Sequence, residues 1–122
     1  MTNKTITVLG PGMMGHGISI RFAIHGFTVF LYGRSKNSLL KAQNRINTTL
    51  ELLNDLEVVN INQNTGIINN IELTTNLKEC ISGSDLIIES INEDLQDKQI
   101  LFSEISDLLK PTSILTSNTS SL

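Results

Sequence analysis

Cysteine is nearly missing from this 122-residue chain: Cys80 stands alone, which excludes a disulfide framework and a cysteine-based metal cluster. Nor do basic residues predominate. Nine Lys and Arg against twelve Asp and Glu give a formal net charge of −3, which excludes the basic surface on which nucleic-acid binding usually depends. No apolar run is long enough for a bilayer span, since the most apolar stretch, Gly17 to Leu31, is broken by Arg21, His25 and Gly26. The opening residues, Met1-Thr2-Asn3-Lys4-Thr5-Ile6, carry no apolar segment of a secretory signal. Neither nucleic acid nor membrane is therefore an expected partner, and the expected compartment is the reducing cytoplasm. What remains is 39% hydrophobic and 17% charged residues, the composition of a soluble globular protein with room for one domain.

The chain alternates between two periodicities. Thr5 to Leu9 is β-branched and apolar, as a strand buried on both faces should be, and it stops at Gly10-Pro11-Gly12. Met13 to Ile24 reads as a helix with Met14, Ile18 and Phe22 on a stripe beside Ile20 and Ile24, stopped by Gly26. Thr28 to Tyr32 is a second strand, ending at Gly33. Ser35 then caps a longer helix running to about Leu53, whose expected inner face is Leu39, Leu40, Ala42, Ile46, Leu50 and Leu53. A polar passage with Asn60, Asn62, Asn64, Asn69 and Asn70 favours turns. Beyond it come a short strand at Ile71 to Thr74, helical turns around Asn76 to Ile81, a buried strand at Asp85 to Glu89, a helix from Asp94 to Leu109 and a last strand at Ser113 to Thr116. Strand and helix alternate about five times with short connections and no internal repeat. That pattern predicts an α/β fold: a doubly wound parallel sheet with helices on both faces, forming one unit over residues 1–122.

The motif Gly10-x-Gly12-x-x-Gly15 falls after the first strand and opens the first helix, where a phosphate-binding turn of a Rossmann-type domain must sit. Gly10 permits the tight turn, Gly12 lets a pyrophosphate approach the backbone, and Gly15 lets helix and strand pack closely. The helix N-terminus offers unpaired N–H groups and partial positive charge to the anion. Alone such a motif is weak, because glycines also serve merely as turn formers; its place in a β-α-β unit gives it weight.

At the end of the second strand a carboxylate would accept hydrogen bonds from the adenosine ribose, the mark of NAD. This chain has Gly33 there, followed by Arg34, Ser35 and Lys36, which could hold the 2′-phosphate of NADP or could be an ordinary turn with solvated cations. Glu89, Glu93, Asp94 and Lys98 gather near the end of the fourth strand, on the side where ligands bind in doubly wound sheets; they could equally be helix-start charges. Asn118-Thr119-Ser120-Ser121 follows the fifth strand toward the same cleft or forms a plain polar turn. His16 and His25 read as surface or satisfied histidines, without an acidic partner by sequence, and Cys80 as a small apolar filler.

With these residues in hand, the chain resembles the NAD-binding domain of the 3-hydroxyacyl-CoA dehydrogenase family over nearly its whole length. The resemblance is carried by the stretch Ile6 to Ile18, by Asp85 to Leu95 with Lys98, and by Ser117 to Leu122, the last being the most specific. It implies hydride transfer at a 3-hydroxyacyl carbon with NAD or NADP as cofactor. It also implies roles. Gly10, Gly12, Met13, Met14 and Gly15 match the pyrophosphate turn; Gly33 and Arg34 stand beside the adenosine ribose; Glu93 and Lys98 match residues near the nicotinamide ribose. Ser120 matches the family's serine that contacts substrate and cofactor, with Asn118 in the same loop, and Thr49 fits a hydroxyl that meets an acyl-CoA substrate.

Three departures accompany the resemblance. The family's acid after the second strand is Gly33 here. Leu56 stands near the place of a coenzyme A-binding lysine, and no Lys or Arg occurs between Arg45 and Lys78. The family's catalytic histidine, its partnering glutamate and the helical second domain lie beyond the position where this chain ends. This implies a cofactor domain of a longer enzyme, with little turnover alone and a monomer or weak dimer as the expected state. A related β-hydroxyacid or sugar-acid dehydrogenase without coenzyme A, and a non-catalytic nucleotide-binding module, are the competing readings.

Overall fold

A computed structural model describes residues 4–57, 66–91, 95–109 and 111–117. Five parallel strands form one sheet: β1 (Thr5–Leu9), β2 (Thr28–Tyr32), β3 (Ile71–Thr74), β4 (Leu86–Glu89) and β5 (Ile114–Ser117), in the order β3-β2-β1-β4-β5. Among the described residues the connecting helices include α1 (Met13–Ile24), α2 (Lys36–Asp55), α3 (Leu77–Ser82) and α4 (Leu95–Ser106). The order reverses direction at β1, so β1 and β4 are neighbours although α1, β2, α2, β3 and α3 lie between them in sequence. In doubly wound sheets, ligands bind outside the carboxyl ends of the strands at such a switch point.

Side-chain alternation sorts the core into two layers. Ile6 and Val8 of β1, Val29 and Leu31 of β2 and Ile88 of β4 face α1 and α2, where Ile20, Ala23, Ala42, Ile46 and Leu50 meet them. Leu9 and Ile87 face the other way and pack with Cys80 and Ile81 of α3 and Leu101 and Ile105 of α4. Helices therefore cover both faces of the sheet, as the sequence predicts. On the second face Thr7 sends its hydroxyl to the Cys80 carbonyl at 2.9 Å and meets the Ser84 hydroxyl, so this buried polar side chain is satisfied.

The strand predictions at Thr5–Leu9, Thr28–Tyr32 and Ile71–Thr74 match the structure, and β5 is shifted by one residue. Two helix faces need correction. Leu40 is 64% exposed, because the buried stripe of α2 runs through Ala42, Ile46 and Leu50, and a residue two places from that stripe lies about 200° around the helix. Met14 is 59% exposed for the same reason: the inward side of α1 runs through His16, Ser19, Ile20 and Ala23. In the polar passage, 66–69 form a helical turn that buries Ile67, where turns alone are predicted.

Candidate functional site

The site begins where β1 runs out. Gly10 donates its N–H to the Tyr32 carbonyl at 3.0 Å and then turns with φ +112°, a conformation L side chains rarely adopt. A Cβ at Gly10 would lie 2.7 Å from the Ser90 carbonyl oxygen, so the turns after β1 and β4 abut directly. At Gly15 a Cβ would meet the Gly10 carbonyl oxygen at 1.7 Å, which seats the first turn of α1 on the glycine turn itself. Around Gly12 the situation is the reverse: a Cβ there would meet nothing within 4 Å. Two glycines thus close the turn while the middle one opens onto free space.

Gly12 is also the N-cap of α1, with no side-chain cap hydrogen bond and no acidic residue in the first turn. The N-termini of α2 and α3 are satisfied differently. Ser35 accepts the Ser38 N–H at 3.1 Å in a reciprocal capping box, and Asn76 accepts the Glu79 N–H at 3.1 Å. The N-cap of α1 therefore places no side chain over the start of the helix, and the helix dipole there favours an anion. Open space at Gly12, amides without a side-chain cap and the absence of a carboxylate fit a pyrophosphate.

Three side chains hold this turn from behind. His16 is buried; its Nδ1 lies 3.2 Å from the Gly12 carbonyl oxygen and its Nε2 3.1 Å from Thr49 Oγ1. Arg45 donates from Nη1 to the Pro11 carbonyl at 3.1 Å. His16 is thus a satisfied histidine, and Thr49, the expected substrate-contacting hydroxyl, makes its hydrogen bond inward. Sequence reasoning missed Arg45; the one available signal was its i, i+4 spacing to Thr49, which puts both on one side of α2.

Gly33, at the end of β2, is buried and donates its N–H to Thr74 at 3.1 Å. A Cβ there would meet Ser38 Oγ at 2.8 Å, Leu39 Cδ2 at 2.9 Å and Pro11 Cγ at 3.1 Å. The volume where a carboxylate would start is filled by neutral side chains, and the phosphate turn and the end of β2 touch through Pro11. Arg34 and the N-cap Ser35 follow on the exposed rim.

At the end of β4, Glu89 is fully buried. Its Oε1 accepts the Ile91 N–H at 2.8 Å and lies 3.8 Å from Lys98 Nζ, so it ties the turn after β4 to α4. The structure therefore brings Lys98 to the end of β4. Glu93, Asn118 and Ser120 lie outside the described residues. Cys80 is buried, and burial pushes its thiol up to about 11. Among the described residues there is no group of three or more His, Cys, Asp or Glu placed to hold a metal, and no helix long and apolar enough to cross a membrane.

The family model described as 3-hydroxyacyl-CoA dehydrogenase, NAD binding domain, matches residues 5–122. The chain belongs to this family. It is 31% identical over 124 residues to a probable 3-hydroxyacyl-CoA dehydrogenase of Caenorhabditis elegans, covering 98% of this chain and 40% of the relative. With the 3-hydroxyadipyl-CoA dehydrogenase of Escherichia coli it shares 30% over 119 residues, covering 98% of this chain and 25% of that protein. The solved structure of Mycobacterium tuberculosis FadB2 superposes with a TM-score of 0.94 at 28% identity, covering 100% of this chain and 43% of that one. The chain thus spans less than half the length of each of these proteins, and its match to the family is to the NAD-binding domain.

Proposed function

We propose that this chain is the cofactor-binding part of an oxidoreductase that works at the 3-hydroxyl of an acyl thioester, in the chemistry of fatty acid metabolism, with NAD or NADP. The observation that carries the reading is the N-terminus of α1, open at Gly12 and without a side-chain cap, behind a turn that Gly10 and Gly15 close. The bound nicotinamide supplies the hydride chemistry; the protein supplies binding, orientation and exclusion of water. The amides of Gly12, Met13 and Met14 would hold the pyrophosphate. Lys98, anchored by buried Glu89, would stand with Glu93 at the nicotinamide ribose. Ser120, with Asn118 beside it, would contact substrate and cofactor, and Thr49 would meet the coenzyme A portion on the side its hydroxyl does not use for His16.

The finer cofactor choice favours NADP. Gly33 offers no carboxylate to repel a 2′-phosphate, three neutral side chains occupy its surroundings, and Arg34, Ser35 and Lys36 line the rim. The proposed setting is the cytoplasm, and the proposed role of the rest of the enzyme is to bring the general base and the acyl pocket. Titration with NAD⁺ and NADP⁺ tests the reading: saturable binding below millimolar supports it, and no binding of either overturns it.

A further inference from the structure

The carbonyls of Pro11 and Gly12, two consecutive peptide units of the phosphate turn, are both engaged on their inner side by side chains. Arg45 Nη1 donates to the Pro11 oxygen at 3.1 Å. The Gly12 oxygen takes the His16 backbone N–H at 3.0 Å and faces His16 Nδ1 at 3.2 Å. A carbonyl oxygen can only accept, so Nδ1 carries the proton, while Nε2 pairs with the Thr49 hydroxyl, 3.1 Å away. In a planar trans peptide the C=O and the following N–H point in opposite directions. Pulling the Pro11 oxygen toward α2 therefore turns the Gly12 N–H away from α2, and holding the Gly12 oxygen in the helix turns the Met13 N–H out of its N-terminus.

We infer that Arg45, supported by the His16–Thr49 pair, is a positioning residue of the cofactor site, fixing the peptide planes of Pro11–Gly12 and Gly12–Met13 so that two adjacent amides face one phosphate group. Arg45 and Thr49 are four apart on α2 and flank the buried stripe Ala42, Ile46 and Leu50, so one rigid helix carries both props. Arg45 also sets a full positive charge one carbonyl behind the turn. The inference rests on the dinucleotide reading above.

The test is titration of this chain with NAD⁺ and with NADP⁺ as wild type, Arg45→Met and Arg45→Lys, with ¹⁵N–¹H spectra of each. Arg45→Met is expected to raise the Kd about tenfold and to move the Gly12 amide signal in the unliganded chain, while signals of core residues Val8, Leu31 and Ile88 stay in place; Arg45→Lys recovers part of the loss. An unchanged Kd in Arg45→Met overturns the positioning role, and so does a spectrum altered across the whole sheet, which would make Arg45 simply a stabilising residue. A wild-type chain that binds neither NAD⁺ nor NADP⁺ overturns the cofactor reading itself and this inference with it.

Discussion

A Cβ on Gly15 would lie 1.7 Å from the carbonyl oxygen of Gly10, so the first turn of α1 rests directly on the backbone of the turn before it. Neither partner can yield cheaply, because the obstructing atom is backbone. Gly15→Ala is expected to cost roughly 3 kcal/mol or more and to lower the melting temperature by about 10 °C or more. Thermal unfolding followed by circular dichroism checks this; a melting point within a degree or two of wild type contradicts it.

Gly12→Ala should separate binding from folding. The added methyl group meets no protein atom, and the φ of −71° suits alanine, so the stability loss is only the poorer N-cap, under about 1 kcal/mol. That methyl group sits where the phosphates must approach, and dinucleotide affinity should fall at least about tenfold. Calorimetric titration beside a thermal melt measures both; retained affinity would remove the phosphate from this position.

Cofactor preference is expected to follow the end of β2. Wild type should bind NADP⁺ more tightly than NAD⁺, and Arg34→Ala should cost roughly tenfold for NADP⁺ with little change for NAD⁺. Gly33→Asp should shift preference toward NAD⁺, with a modest stability loss, since the colliding Ser38 and Leu39 atoms are side-chain ends that can move. Paired titrations decide it, and equal NAD⁺ and NADP⁺ affinities in wild type and Arg34→Ala contradict the phosphate role.

Cys80 should be chemically silent in the folded chain. Burial raises its thiol from 9.0 to about 11, so at neutral pH it is protonated as well as enclosed. Iodoacetamide at pH 8 should label it only after denaturant is added. The sign of the linkage follows: between about 9 and about 11 the unfolded thiol ionises while the folded one keeps its proton, so stability falls as pH rises through that window. Rapid labelling of the native chain would contradict the buried placement.

Much of this architecture was legible before any coordinates. β1 is buried on both faces and shows as a β-branched, apolar run, while β2 and β3 are only partly buried yet still read as short β-rich runs; all three begin and end where the sequence predicts. The glycine turn was legible because each glycine answers a distinct steric need. Helix faces were less so, since Leu40 and Met14 are apolar yet point outward, and hydrophobicity alone does not fix a helix's rotation against a sheet. Arg45 was marked only by its i, i+4 spacing to Thr49. That spacing does not name a partner, and only the packing of α2 against the turn after β1 brings the guanidinium to Pro11. Glu89 likewise reads as a strand-end acid, and its full burial beneath the Ile91 amide and Lys98 is a tertiary fact.

The most direct test of the account is a crystal structure of this chain with a bound dinucleotide. The account predicts pyrophosphate oxygens within hydrogen-bonding distance of the Gly12 and Met13 amides, with the Pro11 carbonyl still held by Arg45. A dinucleotide whose phosphates lie away from the start of α1 would contradict it.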